Sequence, residues 1–266
     1  MAEKKEKKIV AAATGEEVSN KEAEKNSASK GTRTTKEAAP VGNATGLRIG
    51  AVLCWLGALA LEIVAVLIFS GKITWSFLPL LYQLIIALVL DLALVIVGAQ
   101  LWKKANKISP ASKKNPVKFW LWNNMGVIAC VLAFVPFIVL LLNNKELDKK
   151  TKTIATVVAI IALLIGGVAS YDFNPVSLEE KNAAVSTISG NVYWAPFGKV
   201  YHTSEDCQAL NQSETLTYGT VEQAIAAGRT RLCAFCAKRD NIDGVVTDKP
   251  VDEIEDSEII DVDDAA

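Results

Sequence analysis

The stretch FLPLLYQLIIALVLDLALVIVGAQLW, residues 77–102, decides the architecture of this chain. It runs for 26 residues with a single charge, Asp91. A helix rises ~1.5 Å per residue, so ~20 apolar residues cross a ~30 Å hydrocarbon layer. Three similar runs surround it: 47–69, 119–142 and 153–170. In lipid the backbone must hydrogen-bond to itself, so such runs are helices rather than open strands. The expected fold class is therefore a membrane all-α bundle of four transmembrane helices, followed by a small α+β domain.

About half of the 266 residues are hydrophobic, yet they are bunched between Leu47 and Ser170. The near-zero net charge of −1 hides a sharp division between this region and its charged flanks. MAEKKEKK at the start is basic, but no apolar core follows it, so no cleaved signal is expected. The first span would itself direct insertion.

Orientation follows from lysines. The loop KKANKISPASKKNPVK (103–118) holds six lysines and no acid, and lysine-rich short loops stay in the cytoplasm. Trp102, Trp120 and Trp122 bracket it as interfacial anchors. By parity both termini face the cytoplasm. The loop NNKELDKKTK on the opposite side carries Lys145, Lys149, Lys150 and Lys152 and argues the other way, but it is shorter and contains acids.

The ends differ in character. Residues 1–44 are rich in Lys, Glu, Ala, Ser and Thr and read as a disordered tail. Residues 172–184 read as a linker, and 241–266 as a disordered acidic tail. Between them, 185–240 reads as a compact ββα-like domain. NVYWAP and KVYHT alternate around Phe197-Gly198, as a β-hairpin does. TVEQAIAAG carries helix signals: Thr220 as cap, Gln223 at the capping-box position, Gly228 as stop.

A domain this small buries little core and needs a staple. His202, the only histidine, lies five residues before Cys207, and Cys233 and Cys236 follow as C-x2-C. Zinc takes four tetrahedral ligands, commonly thiolate and imidazole, and the four residues supply them with none left over. Iron is the other candidate for a sulfur-rich tetrahedral site. A redox pair lacks its βαβ setting, and a disulfide would strand one cysteine and leave His202 unexplained. Cys54 and Cys130 lie in spans and read as small packing residues.

The stretch VYWAPFGKVYHTSEDCQAL…TVEQAIAAGRTRLCAFC resembles the metal-binding domain of the Ada-type DNA-repair proteins. It is also similar to the C-terminal extension of some thermonuclease-like secreted proteins. The likeness covers about 45 residues and implies a bacterial metal-binding module with His202, Cys207, Cys233 and Cys236 as ligands. Ada-type domains use four cysteines, one of which accepts a methyl group. His202 stands in place of one sulfur here, so neither methyl transfer nor nuclease activity is carried over.

Two acids lie in the spans, Glu62 and Asp91, and Gln83 is an amide near the first of them in depth. An Asp at membrane depth costs about 2.5–3.5 kcal/mol on insertion scales. Depths counted along the spans match Glu62 to Gln83 rather than to Asp91, so interhelical hydrogen bonding is one reading and a proton or cation relay the other. Small residues recur every fourth position at Gly46, Gly50, Cys54 and at Ala162, Gly166, Ser170, which suits packing of spans one and four or a homodimer.

No Walker loop, G-x-S-x-G or H-E-x-x-H occurs, and a triad would have to take His202 from the metal set. The chain is accordingly expected not to be an enzyme. It is expected to be a membrane-anchored protein with a structural zinc module for binding or assembly. Its partners would be the lipid bilayer and a protein docking on Tyr193, Trp194 and Phe197, with nucleic acid disfavoured because the basic residues are scattered. A small ion- or proton-coupled transporter or sensor using Glu62 and Asp91 is the alternative. A membrane-tethered nucleic-acid-interacting module is a further one.

Overall fold

The computed structural model describes residues 7–18, 42–73 and 77–251, which form two compact units. One comprises 43–106 and 114–175; the other joins 107–113 and 176–251 to the N-terminal stretch.

The first unit is built from four long helices: α1 (Ala44–Phe69), α2 (Leu80–Ile108), α3 (Pro116–Asn143) and α4 (Lys149–Ser170). Each is long and apolar enough to cross a membrane, with mean hydropathy of 2.4 to 2.9 over its best window. Their ends follow local rules. Asn43, Asn115 and Asp148 cap α1, α3 and α4 through side-chain oxygens, each accepting from the backbone N–H three residues on. Large apolar side chains such as Leu53, Ile63, Leu164 and Val168 point outward and are more than half exposed. The interior holds Leu84, Leu88, Phe134, Phe137 and Leu141.

Small residues set the close approaches, though not between the expected pair. A Cβ on Gly166 would sit 2.8 Å from Cys130 Sγ, and one on Gly126 would sit 3.3 Å from Ser170 Cβ. The Ala162–Gly166–Ser170 stripe of α4 is therefore spent on α3. Gly50 meets Leu101 of α2. Spans one and four do not pair through these stripes, because the adjacent helix occupies each.

Trp102 is buried rather than lipid-facing; its Nε1 donates to the Trp122 carbonyl at 2.7 Å. Arg48 stacks over both rings at 5.7 Å, and Trp120 is exposed.

The second unit corrects three expectations. Residues expected to be a tail form β1 (Lys8–Ala11) and β2 (Glu17–Val18). β1 pairs in parallel with β5 (Thr215–Gly219), which pairs antiparallel with β3 (Val192–Trp194), giving the sheet order β2-β1-β5-β3. Burial of Ile9, 1% exposed, is the physical reason. Residues 19–41 and 252–266, the rest of the two expected tails, lie outside the described residues.

The expected linker contains α5 (Leu178–Thr187), started by a full capping box between Ser177 and Glu180. It is tied to 107–113: Lys181 Nζ donates to the Ile108 carbonyl at 2.6 Å, Leu178 N–H to the Ala111 carbonyl at 3.1 Å, and Lys113 pairs with Glu180. The domain also runs past Asp240. Ile242, Val245 and Val251 pack on its core, and Thr247 bridges Leu232.

The expected hairpin survives as a single antiparallel bridge, Tyr193 to His202. β4 (Val200–Tyr201) instead pairs in parallel with β6 (Arg231–Leu232). The helix read from TVEQAIAAG is present as α6 (Val221–Ala226), with both capping-box bonds of Thr220 and Gln223. Gly228 ends it at φ +95°, a region that favours glycine. α7 (Ala234–Arg239) closes the unit.

Candidate metal centre

His202 follows directly on β4. Its backbone N–H and carbonyl both exchange hydrogen bonds with Tyr193 at 2.7 Å, so the residue cannot rotate away from β3. The Tyr201 carbonyl accepts from Cys233 N–H at 2.9 Å. The parallel β4–β6 pair thus delivers His202 and Cys233 together at its end. Cys233 is also the residue that caps α7, and Cys236 lies within that helix, with Ala237 N–H closing the turn on the Cys233 carbonyl at 3.0 Å. Cys207 enters by a short 3-10 turn, Gln208–Leu210, whose Leu210 N–H bonds the Cys207 carbonyl at 2.8 Å.

The four ligand atoms all lie within 4.8 Å of one another, and all four side chains are buried. Cys207 Sγ and Cys233 Sγ are 3.9 Å apart; Cys236 Sγ and His202 Nδ1 are 3.8 Å apart. Tetrahedral zinc with Zn–S of ~2.3 Å and Zn–N of ~2.0–2.1 Å gives edges of ~3.8 Å for S···S and ~3.6 Å for S···N. The spacing therefore fits an ion at the centre. It does not fit a disulfide, whose sulfurs sit ~2.05 Å apart, and all five cysteines are free thiols. The His/Cys3 cluster is compatible with one metal ion, and the closed, buried donor set leaves no side open to a substrate.

The electrostatics agree with thiolate character. Hydrogen bonds from Cys207 and Cys233 hold the Cys236 thiol far below its ordinary value, with His202 adding to this. Hydrogen bonds to Cys207 and Cys236, with burial, push Cys233 up. A metal ion bound here would displace the protons that remain on the sulfurs. Arg239 stands nearby. Hydrogen bonding to Asp240 raises its guanidinium above the ordinary value despite burial, and the negative sulfurs of Cys236 and Cys207 add to that. Asp240 also accepts from the Thr203 hydroxyl next to His202.

Three supporting residues escaped the sequence reading. Asp248 accepts from Ala234 N–H at 2.8 Å and so caps the helix that carries Cys236. Arg239 had been seen only as one of several scattered basic residues. Lys7 Nζ donates to the Glu205 carbonyl at 2.7 Å, inside the loop between His202 and Cys207. An Asp placed fourteen residues beyond its partner carries no local sign, whereas a helix N-terminus without its own cap at Cys233 was a readable demand for one.

The expected docking surface is corrected. Tyr193 and Trp194 are each 3% exposed and belong to the core, because both faces of β3 are covered. Phe197 is 99% exposed at the turn, where Arg229 holds the Ala195 and Pro196 carbonyls.

In the four-helix unit, Glu62 and Asp91 line one pocket, together with Phe137. Gln83 does not join them: its Nε2 donates to the Leu78 carbonyl at 2.6 Å, and it lines a different hollow beside Glu146. The expected depth match fails because α2 starts at Leu80 rather than Phe77. Asp91 then lies ~16 Å along its helix, nearer the ~10 Å of Glu62 from the end of α1.

No family model, no curated protein and no solved structure matches this chain.

Proposed function

We propose that this chain is a multi-pass membrane protein whose second unit is a binding or assembly module folded around one structural zinc ion. The observation that carries the reading is the convergence of His202, Cys207, Cys233 and Cys236 donor atoms within 4.8 Å of one another. Three thiolates and a neutral imidazole suit zinc, and a closed four-ligand site serves folding rather than catalysis. The donor set and spacing also support kinship with the Ada-type metal-binding domain over that stretch, without its methyl-accepting role. We assign the chain no enzymatic activity.

The module faces the cytoplasm in this reading. β1, before the first span, hydrogen-bonds β5, after the fourth. Both must then lie on one side, which an even number of crossings satisfies. Residues 107–113 of the lysine-only loop belong to the same unit, and that loop carries the positive-inside signal. The opposite loop dilutes its lysines with Glu146 and Asp148.

The test is metal content of the full-length protein in detergent, wild type beside Cys233→Ser and His202→Ala. One zinc per chain is expected, lost in the cysteine variant and weakened in the histidine variant. A metal-free protein with the same protease resistance as the wild type would refute the zinc role. Iron with a visible charge-transfer band would refute the choice of metal.

A further inference from the structure

Glu62 on α1 and Asp91 on α2 share one apolar pocket, where the backbone of Phe137 hydrogen-bonds Glu62. Asp91 is 2% exposed, and its Oδ1 has no hydrogen-bond partner among the described residues. The amide expected to satisfy this layer, Gln83, is engaged with Leu78. The pocket the two acids share is walled by Ala65, Ala87, Leu88 and Phe137, which offer no polar side chain. Phe137 follows Pro136, the proline inside α3.

Among the described residues, none that lines the pocket is basic. The thiol of Cys130 on α3 is the other ionisable group that feels Asp91. α4 faces the core with Ala155, Ala159 and Ala162, none of them ionisable. Arg48 is fourteen residues before Glu62, ~21 Å along the helix, and is stacked on Trp102 and Trp122. Two neighbouring carboxylates in hydrocarbon, with Asp91 Oδ1 unpartnered, are prohibitive, so a cation must neutralise at least one. The pocket has no room for a water-sized sphere, which leaves too little space for a hydrated metal ion.

We propose that Glu62 and Asp91 form a proton-binding site inside the helix bundle. Hydronium gives up a proton, its O–H bond breaking to leave water, as an O–H bond forms on one carboxylate; the pair's charge goes from −2 to −1. The site rests on reading the four helices as membrane spans and is independent of the metal centre. Its failure is therefore separable from loss of zinc.

The probe is dicyclohexylcarbodiimide, an apolar reagent that adds to protonated carboxyl groups in apolar surroundings. Full-length protein in liposomes is treated between about pH 5 and pH 9, and the modified residue is located by mass spectrometry. Labelling at Asp91 or Glu62 is expected, falling at least about tenfold toward the alkaline end, with a water-soluble carbodiimide inert. Glu62→Gln should leave Asp91 labelled with a shifted midpoint, and Asp91→Asn should do the same for Glu62. Absence of labelling at both acids, or equal labelling by the water-soluble reagent, would overturn the proposal. So would protection by sodium, potassium or lithium at constant pH, which would make the pocket a metal-cation site.

Discussion

Ile9 lies nearly two hundred residues before the metal ligands, yet it should behave as a core residue of their unit. It is 1% exposed and packs in the cluster that contains Leu216, Cys207 and Cys236. Its backbone sits between Leu216 of β5 and Val18 of β2. Truncating a buried Ile to Ala removes transfer energy and leaves a cavity, at a cost of about 2–5 kcal/mol, whereas Ile to Val costs about 0.5–1.5 kcal/mol. Because β5 is interior to the sheet, weakening β1 exposes its backbone. Hydrogen exchange of the 215–219 amides in full-length, metal-loaded protein reads this directly. A loss of 2 kcal/mol is a factor of about 30 in opening, so Ile9→Ala should accelerate exchange by at least that much and Ile9→Val by roughly 2- to 12-fold. Lys8→Ala is the control. Its partner Glu17 and Lys8 itself are each more than half exposed, so the pair contributes little. Unchanged exchange in Ile9→Ala, with metal retained, would show that β1 is not integral to the unit.

Asp248→Ala should leave Ala234 N–H uncapped, costing about 1 kcal/mol, and quicken metal loss to a chelator without changing the number of ions bound. Gly228→Ala places a side chain at φ +95° with its Cβ 3.2 Å from Lys107 Nζ, and should destabilise the unit by about 1 kcal/mol or more, read as a lower unfolding midpoint. Glu180 gives a pH signature. Burial pushes its carboxyl up, but bonds from Lys113 and Ser177 outweigh this and hold it below the ordinary value of 4.5. A depressed folded value means the contribution is present above pH 4.5 and is lost as pH falls through the folded value. Glu180→Gln should therefore flatten the acid side of the stability profile while lowering stability at neutral pH.

What could be read from sequence was local. Thr220, Gln223 and Gly228 bracket a helix whose caps are made within nine residues, and the structure contains those bonds. The spacing of His202, Cys207, Cys233 and Cys236 was legible because metal chemistry restricts the residue types. β5 does carry a local signal, since Thr215, Leu216, Thr217 and Tyr218 alternate as strands do. β1 was hidden for a deeper reason. Ile9 and Val10 stand among lysines and glutamates, and the strand that joins them to the sheet, β5, lies more than two hundred residues away, beyond any window. Tyr193 and Trp194 misled because alternation implies one exposed face, whereas all three residues of β3 are buried in the core of the unit. A three-residue error in the start of α2 was enough to separate Glu62 from Asp91.

The N-terminal strand and the metal centre are physically joined. Lys7 holds the Glu205 carbonyl, in the loop that runs from His202 to Cys207. β1 pairs with β5, β5 with β3, and Tyr193 of β3 clamps His202 by two hydrogen bonds. A metal ion bound by the cluster would tie that loop to Cys233 and Cys236, across the 30 residues between His202 and Cys233. Without an ion, the free cysteines leave nothing covalent to hold the loop against α7. Whatever energy the ion contributes to ordering this loop also orders the platform on which β1 docks. By reciprocity, docking of β1 tightens metal binding by the same factor. The unit thus takes residues from before α1 and after α4, with four membrane-length helices between them, and the metal state and the N-terminal strand are expected to report on each other.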